Sequence, residues 1–434
     1  MKLKAGKLVG FFILLIIIIT AITYKKNSES VILELGIFAG SNWDVPSWQS
    51  YRIYDEAIAE FERRYPNIKI KYRSGTLKSD YSEWLAQKIV KGKEPDVFAV
   101  LSSDFNTLAS VGILKNIDSL VERDENFEIN DMFSNSVKLG QLNGLQYALP
   151  FEVSPILMFV NKTLLQNENI RVPENNWDWS EFYDICRKVT KDTSGDGIPD
   201  QFGAMGFTWK HAVYTNGQQL FNQNGTKAMF NRPDVLESIK FIKKLNDLNK
   251  GAKQVDFGSG KVAFSPLPFS TYRAYKYYPY KVKVYSSFEW ECIKLPKGPN
   301  GKNASELVDF SMAISSRTKH TKEAWAFLKF MTSDGANQLN VFKYSHGVPV
   351  LSNIVESDEA ESMIFENGSS EEKTIDASTL SQIIEESIVA PRFQKYDKAM
   401  DMADKEIFRM INNNLNLEDA LMKFNREIEN YLRN

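Results

Sequence analysis

The sharpest local motif in the chain is Asp192-Thr-Ser-Gly-Asp-Gly-Ile-Pro-Asp200. Oxygen-bearing side chains on Asp192, Ser194 and Asp196, a glycine at Gly197 for a sharp turn, the Ile198 carbonyl and the Asp200 carboxylate together resemble a calcium loop. The place of the closing bidentate glutamate is held by Gly203, and Gln201 is neutral, so the same residues also read as a metal-free Asx-turn. A calcium ion here would be structural, since nothing implies an open coordination position; no other cofactor is required. Elsewhere the chemistry points to binding rather than catalysis. Phe207-Thr-Trp-Lys-His-Ala-Val-Tyr-Thr-Asn-Gly217 concentrates Trp209, His211, Tyr214 and Asn216, but no Ser or Cys nucleophile motif accompanies His211. Trp43 and Trp48 follow the first apolar run, where open sheets bind ligands; either can instead pack on the following helix. Asp104 follows a strand and reads first as a helix cap, with ligand contact as a second role.

The chain has 434 residues, 43% hydrophobic and 25% charged, which is ordinary for a soluble protein and more than one core usually holds. A formal net charge of −2 gives no electrostatic case for nucleic acid. With 8 Trp, 18 Tyr and 28 Phe, aromatics suffice both to fill cores and to line a cleft. Three histidines and two cysteines, Cys186 and Cys292, with no CxxC spacing, argue against a zinc site. Unpaired buried thiols are the expectation.

The elements that must position these groups are legible from hydrophobic spacing. Lys2, Lys4 and Lys7 precede an apolar run from Leu8 to Ile22, followed by Lys25 and Lys26. This reads as a targeting segment, an uncleaved anchor in preference to a cleaved signal, and places the residues beyond about 28 outside the cytoplasm. Val31 to Phe38 reads as a buried strand; Tyr51, Tyr54, Ile58 and Phe61 recur at helical spacing; Ile68, Ile70 and Tyr72 alternate with lysines as a strand. Tyr81 to Ile89 is a helix and Asp96 to Leu101 a strand, so the succession argues for a parallel sheet with crossover helices. Asn143-Gly144 between apolar residues signals a hairpin. Helices are expected over Trp179–Val189, Val235–Leu248, Thr321–Met331 and from Tyr396 to the end with a break near Asn412-Asn-Asn414, and a strand over Val308–Ser315.

Taken in order, Phe61-Glu-Arg-Arg-Tyr-Pro-Asn-Ile-Lys-Ile70, Glu94-Pro-Asp-Val-Phe98, Asp118-Ser-Leu120, Asn143-Gly-Leu-Gln-Tyr-Ala-Leu-Pro150 with Phe159-Val-Asn-Lys162, Gly260-Lys-Val-Ala-Phe264, Ala324 to Ser333 and Gly347-Val-Pro349 resemble the landmarks of the bacterial extracellular solute-binding proteins of family 1, the maltose-receptor-like components of ABC transporters. The chain departs from many such proteins in lacking a lipid-accepting N-terminal cysteine. The resemblance implies an α/β, two-lobe periplasmic-binding-protein-like fold of type II. Each lobe has a central mixed sheet flanked by helices, and an interlobe hinge closes on ligand. The expected division is residues 1–30 as signal or anchor, 31–150 with about 300–350 as the first lobe, and 151–299 with about 351–434 as the second lobe, hinge and C-terminal helices.

A sugar offers hydroxyl edges and apolar C–H faces, so its site needs aromatic platforms and a few fixed polar groups. The resemblance implies that Glu152, at the interlobe crossing, contacts ligand, with a hinge salt bridge as the alternative. It also implies that Trp209 and Tyr214 supply second-lobe aromatics and that Phe269 and Tyr272 fall where an aromatic meets ligand. Trp290, Phe310 and Tyr344 are further candidates that equally suit a core. Arg273 is the one basic residue placed near the cleft, as an anionic ligand would ask. The implied partners are a sugar or oligosaccharide and a transmembrane permease, with a membrane reached through the N-terminal segment, the protein monomeric and extracellular, and no enzyme activity. Alternatives are a peptide, polyamine or glycerophosphodiester on the same fold, or a secreted glycoside hydrolase, which needs two carboxylates across one bond.

Overall fold

The structure, a computed structural model, describes residues 30–47, 51–73, 75–275, 287–364, 375–413 and 415–434. The N-terminal targeting segment and Trp48 lie outside them. Among the described residues no helix is long and apolar enough to cross a membrane.

The first half begins as the periodicity dictates: β1 (Val31–Gly36), α1 (Arg52–Arg64), β2 (Ile68–Tyr72), α2 (Lys78–Val90), β3 (Val97–Val100) and α3 (Ser102–Ser110). Ile68 and Ile70 are buried while Lys69 and Lys71 are exposed, the alternation of a strand with one face on a core. β1 pairs in parallel with both β2 and β3. Asn143 and Gly144, at φ 52° and 79°, form the hairpin turn between Gln141–Leu142 and Leu145–Gln146.

β4 (Ala148–Asn161) is buried at all fourteen positions. The second half comprises α4 (Trp179–Val189), β5 (Phe202–Ala204), α5 (Trp209–Thr215), α6 (Pro233–Leu248), β6 (Val262–Pro268), α7 (Phe269–Tyr275) and β7 (Trp290–Ile293). The chain then returns through β8 (Leu307–Ile314), α8 (Thr321–Ser333) and α9 (Gly335–Tyr344), and continues with α10 (Ala377–Glu385), α11 (Tyr396–Asn412) and α12 (Leu417–Arg433). The strand order is β2-β1-β3-β8-β4-β6-β5, with β7 and the short strand Val348–Pro349 also on β4. Up to Pro155, β4 runs antiparallel to β8; from Ile156 it runs antiparallel to β6 and β7. Pro155 and Pro268, which carry no amide donor, sit where the partner changes.

Two cores flank this junction. One gathers Phe38, Phe98, Phe151, Phe310 and Phe327; the other gathers Phe182, Phe207, Phe230, Ala403 and Phe424. The first core also extends over one face of the second sheet through Phe159, Val262 and Trp290. Part of the stretch past about 351 packs with the first core. Leu380, Ile383 and Ile384 of α10 pack in the first core, and Asn135 Nδ2 donates to the Glu385 and Ser387 carbonyls there. The chain reaches the second core at Ile388 and enters it from Phe393 onward. Cys186 and Cys292 are both buried as thiols.

Candidate functional site

Glu152 is fully buried at the β4 junction, on the side of the first half. Asn42 Nδ2 donates to its Oε1 and Ser345 Oγ donates to its Oε2 at 2.5 Å. Burial pushes the carboxyl above its usual range, against the opposing pull of Ser345, Asn42, Trp43 and the Gly347 amide. A Cβ at Gly347 would run into both Glu152 Oε2 and Trp43 Nε1, so glycine lets the three segments close together. Trp43 Nε1 is buried there without hydrogen-bond geometry to an acceptor. The structure thus brings Trp43 and Glu152 together, and the loop after β1 rests on the carboxyl. Among the described residues no cation pairs with it, which corrects the hinge salt bridge.

Several other candidates are absorbed by packing. Phe310 stands edge-on to Phe38 and Phe151, with ring centroids 5.6 and 6.2 Å apart, inside the first core. Trp290 stacks on Phe159 at 5.1 Å, Tyr272 meets Trp290 edge-on, and Phe269 stacks on Tyr272 at 5.4 Å, giving a buried aromatic ladder along the junction. Tyr344 donates its hydroxyl to Glu56 at 2.7 Å beneath the Arg52 guanidinium. Arg273 donates to the main-chain carbonyls of Met363 and Phe342, so its guanidinium ties α7 to the first half rather than awaiting an anion. Asp104 lies in the first turn of α3, not at its cap, which is Leu101, and accepts from Ser82 Oγ at 2.6 Å.

The remaining candidates, Trp209 and Tyr214, lie in the second core, beside a polar seam between the halves. α3 belongs to the first core through Phe105 and Ala109, and α11 to the second through Ala399 and Ala403. Between them, Asn106 Nδ2 donates to Asp397 Oδ2 at 3.0 Å, and the buried Asn106 Oδ1 has no partner among the described residues. Arg392, on the segment entering α11, donates to Asp309 Oδ1 and to the Ser102 carbonyl, both at 3.3 Å. Ser102 and Ser311 complete the shell of Asp309. On the second-half side, Tyr214 and Tyr396 pair through their hydroxyls at 3.4 Å, and burial pushes Tyr396 up to about 12. Trp209 Nε1 donates to Asp404 Oδ1 at 2.9 Å, and Lys210 pairs with the other oxygen at 2.9 Å. Burial raises Glu306 close by, where Lys210 and Arg392 oppose the shift. His211 Nδ1 accepts from the Thr208 amide, and burial lowers the ring to about 4, leaving it neutral.

Sequence reasoning missed Asn42, Asn106, Asp309, Arg392, Asp397 and Asp404. One signal was present: in β8, Val308 is exposed while Asp309 is buried, an inverted alternation.

The Asp192–Asp200 loop closes on itself. Asp192 accepts from the Gly195 and Gly197 amides at 2.6 and 2.7 Å, Asp196 from Ile198 at 2.9 Å, and Asp200 from the amide and hydroxyl of Thr193. Ser194 donates to Asp192 at 3.1 Å. Among the described residues no group of three or more His, Cys, Asp or Glu is placed to hold a metal, and the loop's carboxylates accept from its own amides and hydroxyls.

A family model described as bacterial extracellular solute-binding protein matches residues 46–338. A multiple sugar-binding protein of Streptococcus mutans is 24% identical over 65% of this chain and 68% of its own length. An uncharacterized lipoprotein in the oleD 5′ region of Streptomyces antibioticus is 22% identical over 66% of this chain; the match spans 65% of that relative, just under two thirds. The crystal structure of the cyclic alpha-maltosyl-1,6-maltose binding protein from Arthrobacter globiformis superposes with a TM-score of 0.76 at 15% identity, covering 93% of this chain and 99% of that one.

Burial of charge in these two places has measurable consequences. Because the folded Glu152 carboxyl binds its proton more tightly than the usual 4.5, the native state holds extra protons from that pH upward and loses stability as pH rises. Glu152→Gln removes this term, so thermal melts from pH 4 to 7 should show the variant gaining on the wild type as pH increases. The Arg392 and Asp309 side chains are 11% and 4% exposed. Arg392→Met alone should destabilise by about 3–5 kcal/mol in urea titration, and adding Asp309→Asn should recover most of that, because the loss lies in the stranded charge.

Proposed function

Since the chain belongs to the bacterial extracellular solute-binding protein family, we propose that it captures a sugar or oligosaccharide between its two halves and hands it, chemically unchanged, to the permease of an ABC transporter. The observation that carries this reading is the seam. Trp209, Tyr214 and Tyr396 meet Asp404, Lys210 and Asp397 there, opposite Asn106 of the other half. Aromatic faces with hydrogen-bonding edges suit a sugar ring, and contacts from both halves let ligand draw the hinge shut. Two relatives, one named for binding multiple sugars and one for binding a cyclic maltosyl-maltose, support the ligand class. The anionic-solute alternative is weakened by Arg273, whose guanidinium is held by main-chain carbonyls. A hydrolase role is weakened because Glu152, the acid offered for it, is enclosed by Asn42 and Ser345. Anchoring through residues 1–30 and a monomeric state belong to the same proposal.

Thermal-shift screening against mono- and oligosaccharides, peptides, polyamines and glycerophosphodiesters tests it. A sugar at a hundredfold excess over its Kd should stabilise the protein by about 2.7 kcal/mol. Trp209→Ala should weaken that binding at least tenfold, and incubation should release no new reducing ends; a transition raised only by a non-sugar solute, or turnover of the glycan, would refute the reading. Within it the Asp192–Asp200 loop serves as a self-closed turn, so calcium or EDTA should leave the melting temperature unchanged.

A further inference from the structure

Three cavities on the second half, of about 470, 550 and 710 Å³, lie side by side as a groove around Gly206 and Gln254, which border all three. Each is in the size range of small-ligand sites. Gly206, at φ 80°, turns the backbone there without a side chain to fill the junction. The middle cavity is walled by Trp209, Ile242 and Phe408, with Asp404 and Lys405 at its edge. Phe408 is 70% exposed, although its neighbours on α11, Ile407 and Met410, are fully buried. The adjoining cavity is lined by amides, among them Asn246, Asn249 and Asn412, and the buried Asn249 Oδ1 has no hydrogen-bond partner among the described residues.

An exposed ring in a concave groove, rimmed by amides that both donate and accept, matches the C–H face and hydroxyl edge of a sugar. The groove borders the second-half side of the seam, because Trp209 and its partner Asp404 line it. From Asp404 to Ile411, α11 advances about 10 Å, enough to accompany a glycan beyond its first ring. We propose that this groove is a distal carbohydrate subsite in which Phe408 stacks on a sugar ring outside the interlobe seam, so that the protein selects oligosaccharides long enough to reach it. The proposal rests on the carbohydrate reading and adds chain-length selection to it.

Wild type, Phe408→Ala and Phe408→Tyr would be titrated against chain-length series of α-glucans, β-glucans, xylans and mannans on a glycan array, with hits repeated by calorimetry. Because Phe408 is exposed, the alanine variant should melt with the wild type, which checks its fold. The expected result is a loss of about threefold to tenfold for the longer members of the bound series with Phe408→Ala, no change for the shortest binder, and retention with Phe408→Tyr. Equal affinity of wild type and Phe408→Ala for every length overturns the subsite while leaving the carbohydrate reading intact. Binding of no glycan by the wild type overturns both. Self-association of the wild type in analytical ultracentrifugation that is lost in Phe408→Ala, with glycan affinities unchanged, assigns the ring to a second copy and likewise overturns the subsite.

Discussion

Everything in this molecule hangs on β4. Its fourteen residues are wholly buried, and its two ends serve different sheets, β8 on one side and β6 with β7 on the other. A strand that changes partners must break its ladder somewhere, and here the break falls beside Pro155 and Pro268, which have no amide to leave unsatisfied. A second irregularity lies close by, where the register against β8 shifts between Phe310 and Ser311. Glu152 lies three residues before Pro155 and Ser154 one, so the buried carboxyl and the Ser154 hydroxyl that accepts from the Ser270 amide are fixed to the place where the halves articulate.

The architecture was legible because it rests on local periodicity. The alternation of Ile68 and Ile70 with lysines, the stripe along Val235–Leu248 and the Asn143-Gly144 turn each determine their element whatever the tertiary context. The site was legible only in part. Tryptophans and tyrosines announce themselves by type, yet type does not say which face of a sheet they occupy. Phe310, Trp290 and Phe269 filled cores, while Trp209 and Tyr214 reached the seam. The polar members were hidden for the opposite reason. Asp397, Asp401 and Asp404 recur along a helix also rich in lysine, a pattern that normally means a solvated face. Only docking against α3 and α5 gives two of them side-chain partners there, Asn106 for Asp397 and Trp209 for Asp404. Arg392 and Asp309 are 83 residues apart, a separation from which no local pattern can infer a pair.

The same distinction explains the division of labour between the two kinds of contact. Aromatic ladders along the junction are apolar, extensive and insensitive to solvent, so they hold each half rigid. The contacts across the seam are of another kind: one buried ion pair, Arg392 with Asp309, and single hydrogen bonds such as Asn106 to Asp397, with an acceptor on Asn106 left unmade. A buried acceptor without a partner is costly, and a ligand hydroxyl that satisfied it would gain what the free protein forgoes.

That asymmetry is what a capture device requires. A ligand can shift an opening equilibrium only by the difference between its affinities for the two states. If the halves were bonded as strongly to each other as each is within itself, closure would occur without cargo and discrimination would vanish. If nothing bridged them, the ligand would have to supply the whole ordering cost. The seam sits between these limits. Arg392, with Asp309 and the Ser102 carbonyl, ties the segment entering α11 to the first half, so on the proposed reading the few direct bonds beyond it would leave the balance to be tipped by ligand. On the proposed reading, one buried ion pair and a few isolated hydrogen bonds between the halves would hold them in register while leaving closure to the ligand.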